Sequence, residues 1–126
     1  MLTERQLADR VRTALAEAGS ILEVKMFGGV GFMLNSNLVA AASKRGLLVR
    51  VGRERQGDAL ARAGARPMVM RGRTIDGYIY VDPPALTGRA VQAWIRLAVD
   101  FVQTLPPKKR GVKRARAKGK GKGKRK

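Results

Sequence analysis

Four short apolar segments follow one another between residues 22 and 51, with turn-forming residues between them. Glycine and asparagine are typical of such turns because they tolerate the positive φ that a tight chain reversal requires. A parallel connection needs about a dozen residues or more, so connections this short predict antiparallel strands. The segments are Leu22–Phe27, Val30–Leu34, Leu38–Ala42 and Leu47–Val51, and the separators are Gly28-Gly29, Asn35-Ser36-Asn37 and Ser43–Gly46.

Three helical patterns accompany these strands. Leu7, Val11 and Leu15 recur every four residues behind a capping box, which predicts an amphipathic helix of about four turns. A shorter helix is predicted over Arg53–Ala63, and a third carries Trp94 in an apolar stripe. The boundary signals are Thr3, Gln6 and Gly19 for the first helix, Gly64 for the second, and Thr87 as N-cap with Pro106-Pro107 as stop for the third.

A second hairpin lies between the last two predicted helices. Met68–Met70 and Ile75–Val81 are its strands, and Arg71-Gly72-Arg73 is its turn. Alternation places Tyr78 and Tyr80 on one face of the second strand. Helices on one face of a mainly antiparallel sheet make an α+β two-layer sandwich, in the order α-β(3-4)-α-β(2)-α. Residues 1–105 are long enough to form one core of this kind.

Charge is distributed very unevenly along the chain. The whole sequence has 27 Lys or Arg, 9 Asp or Glu and a net charge of +18, yet residues 106–126 hold twelve of the basic residues and no acidic one. Such a segment buries nothing and repels itself, so we predict a disordered tail at 106–126. Its basic residues are Lys108, Lys109, Arg110, Lys113, Arg114, Arg116, Lys118, Lys120, Lys122, Lys124, Arg125 and Lys126.

The tail is predicted to bind nucleic acid through its phosphates. Lys and Arg that neutralise phosphates release counterions, which gives affinity without sequence preference. The tail has no aromatic, Asn or Gln side chain, so readout of bases is not expected. An anionic membrane surface, ribosomal RNA, an acidic protein and a merely solubilising role are the alternatives.

Composition excludes several classes of chemistry. Without His or Cys the chain cannot build a typical zinc site, a catalytic thiol or a histidine relay. We therefore expect a protein that is not an enzyme and has no metal or cofactor. The charged N-terminus and the absence of a long apolar run predict a soluble cytoplasmic protein without a membrane span, with nucleoid association as an option.

Three further groups of residues have a functional and a structural interpretation. Gly28-Gly29-Val30-Gly31 lacks the spacing of a phosphate-binding loop and precedes a strand, so a tight turn is the preferred interpretation. The pairs Arg71/Arg73 and Lys44/Arg45 are expected to be solvated loop tips. They would extend a phosphate-binding surface if they lay on the side of the tail. Aromatic residues, namely Phe27, Phe32, Tyr78 and Tyr80, are expected to serve the core more than a base-stacking platform.

Together these features resemble the N-terminal domain of the TfoX/Sxy family. The resemblance covers residues 1–105, and its most specific part is the family's Met-Phe-Gly-Gly signature. The matching residues are Met26, Phe27, Gly28, Gly29 and Gly31, then the strands over 38–51, the helix over 53–63, Gly72, Tyr78, Tyr80 and Pro83, and Trp94 in the last helix.

The resemblance implies a bacterial regulator related to DNA-uptake competence. Longer members of the family join this domain to a second domain of helix-hairpin-helix character, where this sequence has a Lys/Arg tail. The family implies no catalytic residues. We therefore expect a non-enzymatic TfoX-like regulatory protein whose body contacts a protein partner or a second copy. The alternative is an oligomerising, chaperone-like interaction module whose tail solubilises it or binds an anionic surface.

Overall fold

The computed structural model describes residues 2–26, 28–87 and 89–106. The predicted tail lies outside these ranges, apart from Pro106. The element order agrees with the prediction. The elements are α1 Glu4–Ala14, β1 Ile21–Met26, β2 Gly29–Leu34, β3 Asn37–Ser43, β4 Gly46–Arg50, α2 Gln56–Leu60, β5 Ala65–Met70, β6 Arg73–Val81, a 3₁₀ turn Pro83–Ala85, and α3 Ala90–Val102.

The six strands form one antiparallel sheet in the order β1-β2-β3-β4-β6-β5. Two of its hairpins have two-residue turns in which both residues adopt positive φ. These are Asn35 and Ser36 at 53° and 64°, and Arg71 and Gly72 at 54° and 77°. Paired positive φ values are what a type I′ turn needs to match the twist of the strands. The α+β class and the antiparallel pairing are therefore confirmed.

All three helices contribute to the core on one face of the sheet. That core includes Val11 from α1, Ala59 from α2 and Trp94 from α3, and it receives Ile79 and Val81 from β6. The other face holds a smaller cluster formed by Ala41, Leu48, Met68 and Tyr80. Tyr80 and Ile79 thus point to opposite faces, as the alternation predicts. The two-layer arrangement is confirmed.

Several predicted boundaries are wrong. In the second hairpin, β5 begins at Ala65 instead of Met68, and β6 begins at Arg73, which was predicted as a turn residue, instead of Ile75. The boundaries of all three helices also differ. The first helix ends at Ala14 because the amides of Ala16 and Ala18 bond three residues back, which tightens the chain before Gly19. The second helix spans only Gln56–Leu60, because the amides of Gln56, Ala61 and Arg62 at its ends bond three residues back. In the third, Arg89 occupies the N-cap position without a side-chain hydrogen bond, and Thr87 contributes its backbone carbonyl instead.

Candidate nucleic-acid interface

The glycine segment forms the β1–β2 hairpin. Met26 pairs with Gly29 across a two-residue turn in which Gly28 has a φ of 73°. A Cβ atom on Gly29 would overlap the carbonyl oxygen of Ala42 in β3, and one on Gly31 would meet the side chain of Met26. The glycines therefore allow close approach between strands. No helix N-terminus follows them to hold a phosphate, which agrees with the structural interpretation.

The attachment point of the tail is fixed to one end of the sheet. Asn37, the first residue of β3, is 2% exposed. Its side-chain amide donates to the carbonyl of Pro106 at 3.1 Å and to that of Asn35 at 3.4 Å. The sequence pattern predicts Asn37 only as a turn residue. Its bond to Pro106 depends on a contact across 69 positions that no local pattern indicates.

The Arg71/Arg73 turn lies at this same end of the sheet. β3 and β4 are antiparallel, and so are β4 and β6; hence β3 and β6 begin at the same end. Arg71 and Arg73 are exposed and have no ion pair among the described residues. Of the two basic turns, this one therefore lies at the end of the sheet that holds Pro106, where the tail begins.

The Lys44/Arg45 turn lies at the opposite end. It follows Ser43, the last residue of β3, so the seven residues of this strand separate it from Asn37. At about 3.4 Å per residue this is a distance of about 20 Å. Lys44 and Arg45 therefore lie at the end of the sheet away from Pro106. The sequence alone does not show which of the two turns lies near Pro106.

Arg50 and Arg53 add to the basic character of the end where the tail is attached. The guanidinium carbon of Arg50 lies 5.5 Å from the centre of the Tyr78 ring and 5.7 Å from that of Phe101. These distances are within cation–π range, so the two rings hold the guanidinium in place. Arg53 forms an exposed ion pair with Asp76 at 3.4 Å. The alternation of β4 is the sequence signal that sets Arg50 apart from the core.

Among the residues that the structure describes, the aromatic side chains do not form a stacking platform. Phe32 is fully buried on the helix side of the sheet, whereas Tyr80 is 4% exposed on the other side. The guanidinium of Arg66 lies 5.6 Å from the Tyr80 ring centre. Tyr78 is half-buried, and Phe27 lies outside the described residues. The rings described here thus serve packing and the support of arginines.

A polar cluster joins α1 to the edge strand β1. The Arg12 guanidinium donates to both carboxylate oxygens of Glu23, at 2.6 and 2.9 Å, and to Asp9 at 2.6 Å. The hydrogen bonds from Arg12 are the main cause that holds the pKa of Glu23 below its usual value. The three side chains are partly exposed. Because Arg12 belongs to α1 and Glu23 to β1, we assign the cluster to positioning β1 against the helix.

The described residues offer no group of three acidic side chains placed to hold a metal ion. Between α1 and α3 lies an open groove of about 890 Å³, lined by Glu17, Arg89, Arg96 and Asp100 among others.

Across residues 2–26, 28–87 and 89–106, no helix has the length and apolar character needed to cross a membrane. The basic tail residues from Lys108 onward lie outside the described part, so their predicted role stays a prediction.

The comparison with protein families agrees with the fold and the glycine hairpin. The family model of the TfoX N-terminal domain matches residues 13–102, which include β1 to β6, α2 and all of α3. No curated protein and no solved structure gives a significant match. Since the match covers more than half of the sequence, the chain belongs to the TfoX N-terminal domain family.

Proposed function

We propose that this TfoX-like protein is a non-enzymatic regulator that binds nucleic acid without sequence preference, with a role in competence or transcription. The tail supplies most of the binding energy by releasing counterions from phosphates. The end of the sheet that carries Pro106 supplies further contacts, and the body binds a protein.

The observation that carries the proposal is the segregation of charge toward one end of the molecule. Twelve unopposed basic residues follow the anchor at Pro106, while residues 1–105 hold 15 basic and 9 acidic residues. Arg71 adds to this because it keeps a long basic side chain at a φ of 54°. Asn or Gly is the usual residue at such a position, so a cation there has a conformational cost that phosphate binding would offset.

Two matched double variants test where the body contributes. Arg71→Gln with Arg73→Gln removes two charges from the tail end, and Lys44→Gln with Arg45→Gln removes two from the opposite end. The first pair should lower the salt dependence of binding to a DNA duplex by up to about two phosphate contacts, since each contact changes the slope by about one. The second pair should leave it nearly unchanged. Equal effects from both pairs would contradict the proposed location.

A further inference from the structure

The two edges of the sheet differ in their protection against pairing with another strand. The edge strand β5 contains Pro67, which has no amide hydrogen, and its register shifts between Pro67 and Val69. Both features are known devices against edge pairing. The opposite edge strand, β1, has no proline, and its register with β2 is regular over all six residues. β1 is therefore the edge that is open to a further strand.

The hairpin geometry identifies which backbone groups of β1 point outward. Met26 and Gly29 flank a two-residue turn, so they form a hydrogen-bonded pair. The alternation then directs the amides and carbonyls of Leu22 and Val24 toward β2 as well. Those of Glu23 and Lys25 point away from the sheet, where the described residues place no other strand.

The side chains of β1 leave both its faces exposed. On the face away from the helices, Leu22 is 51% exposed. On the helix side, Glu23 and Lys25 are both exposed and carry opposite charges two positions apart. Arg12 holds the Glu23 carboxylate in a fixed place.

We propose that β1 pairs with β1 of a second copy of the chain, antiparallel and centred on Val24, so that two sheets become one. The outward backbone groups of Glu23 then exchange hydrogen bonds with those of Lys25 of the second copy, and the reverse pair does the same. This inference rests on the proposed function in one respect. The proposed function says that the body binds a protein, and this inference names β1 as the surface and a second copy as the partner.

The charges on β1 select this register. Opposite charges that face each other across antiparallel strands are stabilising, and like charges are destabilising. A shift by one pair would put Glu23 opposite Glu23, or Lys25 opposite Lys25. A shift by one residue would leave the outward amides without partners. Centring on Val24 also sets the exposed Leu22 against Met26 of the second copy.

Pairing of this kind places two basic tails on one particle. The two tails would bind the same nucleic acid with an effective concentration set by the size of the dimer. Dimerisation itself needs no nucleic acid, so the two activities are separable. A monomeric protein that still binds DNA would contradict this inference alone, and a dimer that fails to bind DNA would contradict only the proposed function.

The register can be measured by disulfide cross-linking because the full chain has no cysteine. At the two-fold axis Val24 faces Val24 as a non-hydrogen-bonded pair, with Cα atoms about 4.5 Å apart, which suits a disulfide. Val24→Cys should therefore give a covalent dimer under mild oxidation. Leu22→Cys is more exposed but faces Met26, and it should cross-link about tenfold more slowly or less. Equal rates for the two variants, or no dimer from Val24→Cys, would overturn the proposal.

Sedimentation equilibrium of the full chain gives a second test without a covalent bond. At about 100 μM, where a contact of micromolar affinity is saturated, we expect a dimer. Lys25→Glu and Glu23→Lys should each be monomeric, and their equimolar mixture should form a heterodimer because each Glu again faces a Lys. A thermal melt verifies that each variant folds; if Glu23→Lys does not, Lys25→Glu and the cross-linking decide. A dimeric Lys25→Glu would contradict the charge argument.

Discussion

At the scale of single residues, the structure assigns two clear roles, close approach between strands and anchoring of the chain. Gly29 lies where β2 passes the backbone of β3, and Asn37 holds the chain at Pro106. The sequence alone indicated that Gly29 is structural, because the glycine spacing does not fit a phosphate loop. The bond from Asn37 was not predictable, since it joins residues that are distant in the chain.

Gly29→Val should destabilise the fold strongly. Its Cβ would overlap the Ala42 carbonyl, a backbone atom that cannot move without disturbing the β2–β3 ladder. We expect a loss of about 2–4 kcal/mol and a fall of about 10 °C or more in Tm, measured by circular dichroism. Gly57→Ala is the control, because a Cβ there meets nothing within 4 Å and α2 gains helix propensity. An unchanged Tm for Gly29→Val would contradict the structural role.

The Arg12–Glu23 contact should make the fold weaker in acid. Glu23 has a lower pKa in the folded state than in the unfolded chain, where it is about 4.3. The contribution of the Glu23 charge to the free energy of unfolding is therefore fully present above the unfolded-state pKa. It is lost as the pH falls through the folded-state pKa. Glu23→Gln should lower Tm by only about 2 °C at neutral pH, because the ion pair is exposed. At low pH it should not change Tm, because Glu23 is then protonated in the wild type as well.

The measurement compares melting curves of the wild type and Glu23→Gln across pH, at a protein concentration low enough to keep the chain monomeric. Glu54→Gln is the matched control, since Glu54 is exposed and has no ion pair among the described residues. A difference in Tm that persists unchanged at low pH would show that Glu23 acts through packing instead of its charge.

At the scale of elements, the sequence predicted the existence and type of nearly every helix and strand. Periodicity and turn residues are local signals, so they identified the turns between consecutive strands. They also identified the capping box, in which Thr3 and Gln6 bond each other's backbone. The ends of α1 and α2 were missed because hydrogen bonds three residues back compete with helix continuation there. Which turns share one end of the sheet depends on strand order, and no local pattern encodes it.

The β5–β6 turn provides a prediction in which stability and binding change in opposite directions. Arg71→Asn creates an Asn-Gly turn and relieves the left-handed strain at a φ of 54°. We expect a gain of about 0.5–1 kcal/mol, a rise of about 3–6 °C in Tm, and weaker DNA binding. Arg73→Asn removes the same charge from an extended position, so it should weaken binding without raising Tm. A lower Tm for Arg71→Asn would contradict the assignment of strain.

At the scale of the whole molecule, one end of the sheet brings together what the sequence keeps far apart. Pro106 meets Asn37 there, Arg50 comes from the end of β4, and Arg71 and Arg73 come from the β5–β6 hairpin. We propose that the basic charge binds nucleic acid and that the β1 edge binds protein.

We propose above that the basic tail drives binding to nucleic acid. The direct test is fluorescence anisotropy of a DNA duplex with the full chain and with a variant whose twelve tail Lys and Arg are Gln. A chain with the tail residues shuffled is the control, and it should bind like the wild type. If six to ten charges contact phosphates, wild-type affinity should fall about 10³- to 10⁵-fold between about 50 and 200 mM salt. The neutralised tail should abolish most of this dependence, and equal affinity of the two proteins at about 50 mM salt would contradict the claim.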